Sequence, residues 1–352
     1  MDLIRRTVGI DIGTHKAAAY VRGRGLVFEE PSIVAFDTYT NKILAAGTEA
    51  QEMLGRTPGN VLTVKPVVEG VIADFRAATA MLKRVIKVGV GRSIVKPDCI
   101  LSVPSHITQV QKRALMQATK NAGANRVYLI EEVLASAFGI GLDIKNPVGH
   151  MILDIGAGST SIGIISRGQV ILSSGRRIGG ENFNRAIENY LRENYGLYAG
   201  EASVETMKTT IGSLVKLEHP KIFEIAGRDI ATGLPKSVLF NSNDMERAMR
   251  PVAEEITRAV KSILSTTPPE LSSDVLRKGV YLTGSSAQLA GFAEMITEGT
   301  GLNIHMVDNP GTVTVRGTGR AMQWMGSYEA EEKKDFIKRA RTVENAERLR
   351  RH

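Results

Sequence analysis

Residues 8–27 read VGIDIGTHKAAAYVRGRGLV and residues 151–170 read MILDIGAGSTSIGIISRGQV, so the chain carries one pattern twice. In each copy a β-branched run ends in Asp-Ile-Gly, a short turn follows, and a second apolar run reaches Arg-Gly and then Val. Short apolar runs bounded by turn residues are typical of strands. The duplication therefore predicts two related half-molecules that face one cleft.

Both turns contain residue types that suit a phosphate and its metal ion. Asp11 and Asp154 end the first strand of each copy, and carboxylates can hold the water shell of Mg²⁺, which prefers oxygen ligands. Glycines let backbone N–H groups approach phosphate oxygens without a Cβ in the way. One such turn is weak evidence because Asp and Gly are common in turns, but two in matching context predict a site. Its loop residues are Gly13, Thr14, Gly156, Gly158, Ser159 and Thr160.

Three later segments contain residues that suit the same site. Residues 179–181, Gly-Gly-Glu, precede a predicted helix whose N-terminus would offer unpaired backbone donors to an anion. Residues 282–286, LTGSS, end a predicted strand where a nucleoside could lie against open backbone. Glu131 and Glu132 follow the strand RVYLI, and a carboxylate there could orient a water for attack on a terminal phosphoryl group. By itself the pair has a simpler explanation, since acids favour the first turn of a helix.

Size and composition describe a two-domain globular protein. The chain has 352 residues, of which 43% are hydrophobic and 23% charged, and this length exceeds one ordinary core. No uninterrupted apolar run approaches the ~18–20 residues of a membrane span, and the first residues do not read as a secretory signal. The single cysteine, Cys99, excludes an intramolecular disulfide and is expected in a buried strand. We expect a cytoplasmic protein.

The order of the segments indicates α/β layers. Strand-like runs alternate with amphipathic runs of helical length. One of these helices is predicted to be capped by Ser105, to run to about Ala122 and to stop at Gly123.

The formal net charge of +8 indicates an acidic partner. Aromatic residues are only 5% of the chain, and no helix–turn–helix or zinc-finger pattern is present. We therefore expect no nucleic-acid partner and favour an anionic membrane surface.

With these segments in order, the chain resembles the actin-like ATPase superfamily, and within it the MreB family of bacterial actins. The resemblance covers roughly residues 7–325. The stretch at 53–75 is specific for that family and has no evident counterpart in sugar kinases or heat-shock chaperones. The matching stretches are EEPSIVAF at 29–36, MLGRTPGNVLTVKPVVEGVIADF at 53–75, LFNSNDMERAM at 239–249 and PPELSSDVLRKGVYLTG at 268–284.

The resemblance implies an α/β, actin-like ATPase fold. Two related α/β domains would enclose a nucleotide cleft, and each would carry a smaller subdomain. The implied boundaries are 1–31 with 66–145 and 310–330 for subdomain IA, 32–65 for IB, 146–179 with 245–309 for IIA, 180–244 for IIB, and 331–352 for a charged C-terminal tail.

The resemblance also implies the activity and the residues that carry it. Proteins of this kind bind ATP or ADP with Mg²⁺, hydrolyse ATP slowly, and polymerise into membrane-attached filaments that guide cell shape and wall growth. Asp11 and Asp154 would hold the metal through water, and Glu131 falls where the family places the residue that positions the hydrolytic water. The implied nucleotide contacts are Gly13, Thr14, His15, Lys16, Gly156, Gly158, Ser159, Gly179, Gly180, Glu181, Lys208, Thr210, Gly284 and Ser285.

Several positions depart from the family pattern. His15 and Lys16 replace the usual Ala-Asn, and Lys16 either contacts phosphate or points to solvent. Ser161 and Thr210 stand where glutamates are usual. Two serines reduce the glycine run after Gly284, and Val133 replaces a proline. These departures keep open an alternative in which the protein is a non-hydrolysing, nucleotide-dependent scaffold. A small-molecule kinase is disfavoured because no acceptor-side general base is evident.

A membrane contact is expected at Ile94 and Val95. The resemblance places an inserting apolar pair there, and basic residues surround it, so many subunits together would bind an anionic surface firmly. The simpler alternative is a connector with a half-buried Ile. The expected partners are further copies of the chain, the inner face of the cell membrane, and unspecified cell-wall synthesis or division proteins. The charged tail is either a solvated helix or a binding arm.

Overall fold

The computed structural model describes residues 6–54, 59–91, 93 and 95–322. Ile94 and the tail 331–352 lie outside these residues. The first half contains, in chain order, β1 Thr7–Ile12, β2 Lys16–Val21, β3 Gly25–Pro31, β4 Val34–Asp37, β5 Ile43–Ala46, α1 Thr48–Met53, β6 Val61–Val64, β7 Val67–Val68, β8 Val71–Ile72, α2 Phe75–Val90, β9 Asp98–Val103, α3 Gln109–Asn121, β10 Val127–Glu131 and α4 Glu132–Ile140.

The second half begins with a strand that carries the second copy of the pattern. Its elements are β11 His150–Ile155, β12 Thr160–Ser166, β13 Gln169–Arg176, α5 Gly180–Tyr195, β14 Leu197–Tyr198, α6 Glu201–Ile211, β15 Ile222–Asp229, β16 Pro235–Asn241, α7 Ser242–Ser265, α8 Pro269–Lys278, β17 Val280–Thr283, a 3₁₀ turn Ser285–Gln288, α9 Phe292–Thr300, β18 Ile304–Met306 and a 3₁₀ turn Pro310–Thr312. Residues 313–322 are helical.

Two five-stranded sheets repeat one topology. Their orders are β10-β9-β1-β2-β3 and β18-β17-β11-β12-β13. The central strand of each, β1 or β11, pairs antiparallel with the next strand in the chain and parallel with a later one. The predicted α/β class and the two related halves are confirmed.

The central strand of the second sheet is buried along its whole length. All six residues of β11 are buried, and helices pack against the sheet, as is usual for strands covered on both faces. Asp154 lies in this strand and is 6% exposed. The sequence HMILDI thus places a carboxylate in an apolar strand, where it needs hydrogen-bonding partners.

The predicted start of α3 is three residues too early. The N-cap is Thr108, whose Oγ1 accepts from the N–H of Gln111 at 3.3 Å while the Gln111 side chain accepts from the Thr108 N–H at 2.9 Å. This reciprocal arrangement satisfies two donors at the helix start. Ser105 does not cap the helix, because its hydroxyl donates to Glu131 and its N–H to Ser161.

The chain crosses between the two sheets twice. The first crossing is α4, which joins β10 to β11. The second runs from β18 through the 3₁₀ turn Pro310–Thr312 into residues 313–322. The two crossings touch through backbone: a Cβ on Gly139 would meet the carbonyl of Val313, and a Cβ on Gly317 would meet the carbonyl of Ala135. Residues 313–322 then pack on the first sheet, where Gly9 faces Thr318.

Two three-stranded sheets, β5-β4-β6 and β14-β15-β16, and the hairpin β7-β8 extend from the halves. The boundaries expected for four subdomains stay predictions. Cys99 lies buried in β9, as expected, and burial raises the pKa of its thiol to about 12.

Candidate functional site

The two Asp-Ile-Gly turns have one hydrogen-bonding geometry. In the first, the N–H of Gly13 donates to the carbonyl of Lys16 at 2.9 Å. In the second, the N–H of Gly156 donates to the carbonyl of Ser159, also at 2.9 Å. Each bond closes a two-residue turn between antiparallel strands. The sequence repeat is therefore a structural repeat.

The turns meet face to face at the centre of the molecule. A Cβ on Gly158 would collide with Thr14 Oγ1 and lie 2.9 Å from the N–H nitrogen of Glu69, so only glycine fits there without displacing the first turn. The hairpin β7-β8 covers this contact, and the N–H of Gly70 donates to Thr14 Oγ1 at 3.4 Å.

We call the cavity beside the two turns the acidic pocket, because Asp11, Glu132 and Asp154 line it. A second cavity, the outer pocket, shares turn residues with the acidic pocket and is lined further by α5 and α6. Of the predicted nucleotide contacts, the acidic pocket contains Gly13, Thr14, His15, Lys16, Gly156, Gly158, Ser159, Gly284 and Ser285. The outer pocket contains Thr14, His15, Gly180, Glu181, Lys208, Thr210 and Ser285.

Asp11 is held from within its own sheet. Its Oδ1 accepts from the hydroxyl of Ser102, on the neighbouring strand β9, at 2.7 Å. Burial raises the pKa of Asp11, while the Ser102 bond and the positive charge of Lys16 oppose that increase.

Asp154 is held from outside its sheet. Its Oδ2 accepts from Ser136 Oγ at 2.8 Å and from Thr314 Oγ1 at 2.7 Å. Burial raises the pKa of Asp154 to about 6 in spite of these two bonds, and the negative charge of Asp11 adds to the increase. A buried carboxyl group with a raised pKa in a cleft is a frequent sign of a functional site.

Glu132 is the third carboxylate of the acidic pocket. The sequence pointed to the pair Glu131 and Glu132, and the family resemblance selected Glu131 of the two. The Oε2 of Glu132 accepts from Ser161 Oγ at 2.7 Å, and burial followed by the charges of Asp154 and Asp11 raises its pKa well above the ordinary value. Glu132 and Ser136 are four residues apart, so both lie on one face of α4. This shared face could have been predicted from the sequence.

Glu131, the residue selected from the sequence, lies one position earlier and is the N-cap of α4. Its Oε2 accepts from Ser105 Oγ at 3.2 Å, and among the described residues it does not line the acidic pocket. Its assignment as the water-positioning residue stays a prediction, but the pocket geometry favours Glu132.

The acidic pocket suits a hydrated divalent cation. In the part of the chain that the structure describes, no group of three or more His, Cys, Asp or Glu side chains is arranged to hold a metal ion. A cation beside Asp11 and Asp154 would take most of its ligands from water and phosphate, which is how Mg²⁺ is commonly held. A Cβ on Gly284 would lie 2.3 Å from Ile155 O and 2.6 Å from Asp154 Oδ1, so only glycine fits beside this oxygen.

The expectation of unpaired donors at the start of α5 is wrong. The N–H of Gly180 donates to Gly156 O at 3.0 Å, that of Glu181 to Ala157 O at 2.8 Å, and that of Gly179 to the Asn182 side chain at 2.9 Å. The second turn accepts from Gly180 and Glu181 because it lies directly on the helix N-terminus, and the Gly179 donor is used by the helix itself. The first two donors fix the turn instead of facing an anion.

Lys208, a predicted nucleotide contact, lines the outer pocket and is hydrogen-bonded within the protein. Lys208 Nζ donates to Glu205 Oε2 at 2.7 Å and to Gly180 O at 3.1 Å. Thr210 lines the same pocket, and its hydroxyl donates back to Thr206 O at 2.7 Å.

The two halves are also joined by ion pairs across the outer pocket. Lys65, which follows β6, donates to Glu181 and to Glu201, each at 2.7 Å. Glu181 lies in the first turn of α5 and Glu201 begins α6, so both acidic partners come from the second half.

The residues that depart from the family pattern have specific contacts. Lys16 lines the acidic pocket, but its Nζ donates to Glu29 at 2.7 Å. Ser161 Oγ accepts from the Ser105 N–H at 3.2 Å and itself donates to Glu132. Ser286 Oγ donates to Gly156 O at 2.8 Å and so fastens the second turn.

The segment expected to contact a membrane is described only in part. Val95 is half-buried, and its N–H donates a long hydrogen bond to Ser93 Oγ at 3.3 Å. In the ranges that the structure describes, every helix is too short or too polar to cross a bilayer.

Comparison with known proteins gives a consistent result. The family model described as "MreB/Mbl protein" matches residues 5–330. The cell shape-determining protein Mbl of Bacillus subtilis is 38% identical over 90% of this chain and 96% of its own length. The cell shape-determining protein MreB of Escherichia coli is 39% identical over 91% and 94%.

Solved structures resemble the fold closely. MreB5 of Spiroplasma citri bound to AMPPNP superposes with a TM-score of 0.88 at 33% identity, over 94% of this chain and 99% of that one. The MamK double helical filament superposes at 0.76 with 20% identity, over 91% and 99%, which is a likeness of fold.

Two sheets of one topology, with paired glycine-containing turns facing a common cleft, define the actin-like ATPase fold. The extent of the family match then identifies the branch. This chain belongs to the MreB/Mbl family.

Proposed function

We propose that this protein binds ATP and ADP with Mg²⁺ in the cleft and assembles into filaments at the inner face of the cell membrane, where it organises cell shape and wall synthesis. The observation that carries the proposal is the pair of matched turns with Asp11 and Asp154 in one pocket. The related MreB5 of Spiroplasma citri is described as bound to AMPPNP and to ADP, and the curated relatives are named cell shape-determining proteins.

Different residues of the cleft would hold the phosphates, the metal ion and the attacking water. Backbone N–H groups and hydroxyls of the two turns would hold the phosphates from opposite sides. When bound, Mg²⁺ would offset negative charge on the phosphate oxygens, with Asp11 and Asp154 holding its water shell. Glu132, fixed by Ser161, would orient a water toward the terminal phosphoryl group.

A second function, a nucleotide-dependent scaffold without hydrolysis, is favoured by one observation. Burial and two neighbouring carboxylates raise the pKa of Glu132 well above its ordinary value. Only the deprotonated carboxylate can accept a proton from water, and burial disfavours that form. Slow hydrolysis is therefore expected even where nucleotide binds well.

Phosphate release separates the two functions and also tests the choice of glutamate. We expect Glu132→Gln to lower the rate of phosphate release by about 10²-fold or more, and Glu131→Gln, its matched control, to lower it by much less. An equal rate for wild type and both variants would leave only the scaffold. A selective loss in Glu131→Gln would restore the assignment made from the sequence.

Assembly is tested by electron microscopy of the purified protein on anionic lipid with ATP, with ADP and without nucleotide. We expect filaments with ATP. Their absence in all three conditions would overturn the cytoskeletal function.

Membrane attachment is tested separately. We expect Ile94→Ser with Val95→Ser to abolish co-sedimentation with anionic liposomes while the protein stays folded. Val110→Ser, which changes a 74% exposed valine on α3, is the matched control. Unchanged co-sedimentation of the double variant would contradict attachment through this segment.

A further inference from the structure

Two buried hydroxyl groups bind one oxygen of Asp154, and they come from the two chain crossings. Ser136, in the middle of α4, is fully buried, and Thr314, in the second crossing, is 7% exposed. Both donate to Oδ2, and their own oxygens lie 2.9 Å apart. Three segments of the chain therefore meet at one carboxylate oxygen.

The bond made by Ser136 is unusual for its position. A serine inside a helix commonly donates to the carbonyl four residues earlier. Ser136 instead donates out of its helix to Asp154, and Thr314 does the same from the first turn of its own helix. A buried hydroxyl needs a partner, and both of these find theirs on the same acidic group.

The arrangement assigns different tasks to the two oxygens of Asp154. Oδ2 is occupied by the two hydroxyl donors, whereas Oδ1 lies beside Gly284 at the acidic pocket. With one oxygen fixed, the carboxylate cannot rotate freely, so the other stays aimed at the cleft. Fixing a ligand by hydrogen bonds from behind increases its affinity for a metal ion.

We propose that Ser136 and Thr314 are positioning residues for Asp154, which fix Oδ2 so that Oδ1 faces a hydrated divalent cation on the bound nucleotide. The inference rests on the proposed nucleotide binding. On this inference Asp154 is positioned by the two crossings and not by the sheet that contains it. The geometry of the crossings then determines how well the cation is held.

The test measures binding of a fluorescent ATP analogue as a function of Mg²⁺ concentration and, separately, in EDTA. Ser136→Ala and Thr314→Val each remove one hydroxyl, and Thr314→Val preserves the side-chain shape. We expect each to raise the half-saturating Mg²⁺ concentration by roughly ten- to hundredfold, the usual range for losing a hydrogen bond that orients a metal ligand. Affinity in EDTA should change by less than about twofold, and Thr314→Ser should restore the wild-type Mg²⁺ requirement.

A matched control separates positioning from general packing. Thr257→Val removes a buried hydroxyl that donates to Ala253 O at 3.0 Å in α7, remote from the pocket, and should leave the Mg²⁺ requirement unchanged. Wild-type Mg²⁺ dependence in Ser136→Ala and Thr314→Val would overturn the inference. So would equal losses with and without Mg²⁺, since those would indicate a structural role alone.

The two proposals fail in different ways. If wild-type protein does not bind the analogue at any Mg²⁺ concentration, the proposed function is wrong and the inference fails with it. If wild type binds with a clear Mg²⁺ requirement that the hydroxyl variants share, only the positioning inference is wrong.

Discussion

Asp11 and Asp154 occupy matching places in two copies of one pattern, but the chain supports them differently. Asp11 accepts from Ser102, which lies on the adjacent strand of the same sheet. In the second sheet the equivalent neighbour is Thr283, paired with Asp154 in the strand register, yet its hydroxyl donates to Pro310 O at 3.1 Å. Asp154 is supported by the two crossings instead.

The difference shows what the duplication repeats. It repeats strands, turn geometry and the placement of an aspartate, all of which depend on local sequence. It does not repeat the contacts behind each aspartate, because those come from segments outside the pattern. The first carboxylate therefore depends on its own sheet, and the second depends on how the halves are joined.

The largest expected effect tests whether the two matched turns must touch. Gly158→Ala would place a Cβ against Thr14 and displace the first turn. We expect nucleotide affinity to fall by about 10²-fold, the order of losing one or two hydrogen bonds to a charged phosphate.

Gly156→Ala is the matched control in the same turn, because its Cβ would lie 3.3 Å from Ser159 O, a tight but tolerable distance. Both affinities can be measured with a fluorescent ATP analogue. Equal losses in the two variants would show that the turns do not need to touch.

An intermediate effect concerns the free energy of unfolding without metal. The pKa of Asp154 rises from 3.8 to about 6 on folding. The stabilisation that goes with this higher pKa is present below pH 3.8 and is lost as the pH rises through about 6. At pH 7.5 in EDTA we therefore expect Asp154→Asn to be more stable than wild type by roughly 3 kcal/mol, at 1.36 kcal/mol per pKa unit.

Urea unfolding at pH 7.5 and at pH 4 measures this effect, which should nearly vanish at the lower pH. Asp11→Asn is the matched variant in the other half, and we expect a smaller gain because the Ser102 bond and the Lys16 charge oppose the increase in its pKa. A loss of stability in Asp154→Asn at pH 7.5 would contradict the cost assigned to this buried charge.

The smallest expected effect decides the open role of Lys16, which has no cationic counterpart in the second turn. Its Nζ is already paired with Glu29 at 2.7 Å, and its side chain is 29% exposed. We expect Lys16→Ala to weaken ATP binding by less than about fivefold, the range of a partly exposed ion pair. A larger loss, reduced by high salt, would show that Lys16 leaves Glu29 to bind phosphate.

Much of the fold and part of the site could be predicted from local patterns. The strands around Asp11 and Asp154, the two glycine-containing turns and the α/β class follow from apolar runs and turn residues. The start of α3 was misplaced because Ser105 and Thr108 are both good capping residues, and only the bonds of Ser105 to Ser161 and Glu131 distinguish them. The donors at the start of α5 were misjudged because the second turn lies on that helix and accepts from two of them.

The sequence by itself determined the doubled strand–turn–strand unit, its two aspartates and the glycines that let the turns approach, because each depends on residues within a few positions of one another. The tertiary structure alone decided that Glu132 lines the pocket with the aspartates, that Ser161 binds Glu132, and that Ser136 and Thr314 meet at Asp154. Ser136 and Thr314 are 178 positions apart. The periodicity of a segment shows which of its faces is buried, but only the packing of distant segments determines what that face meets.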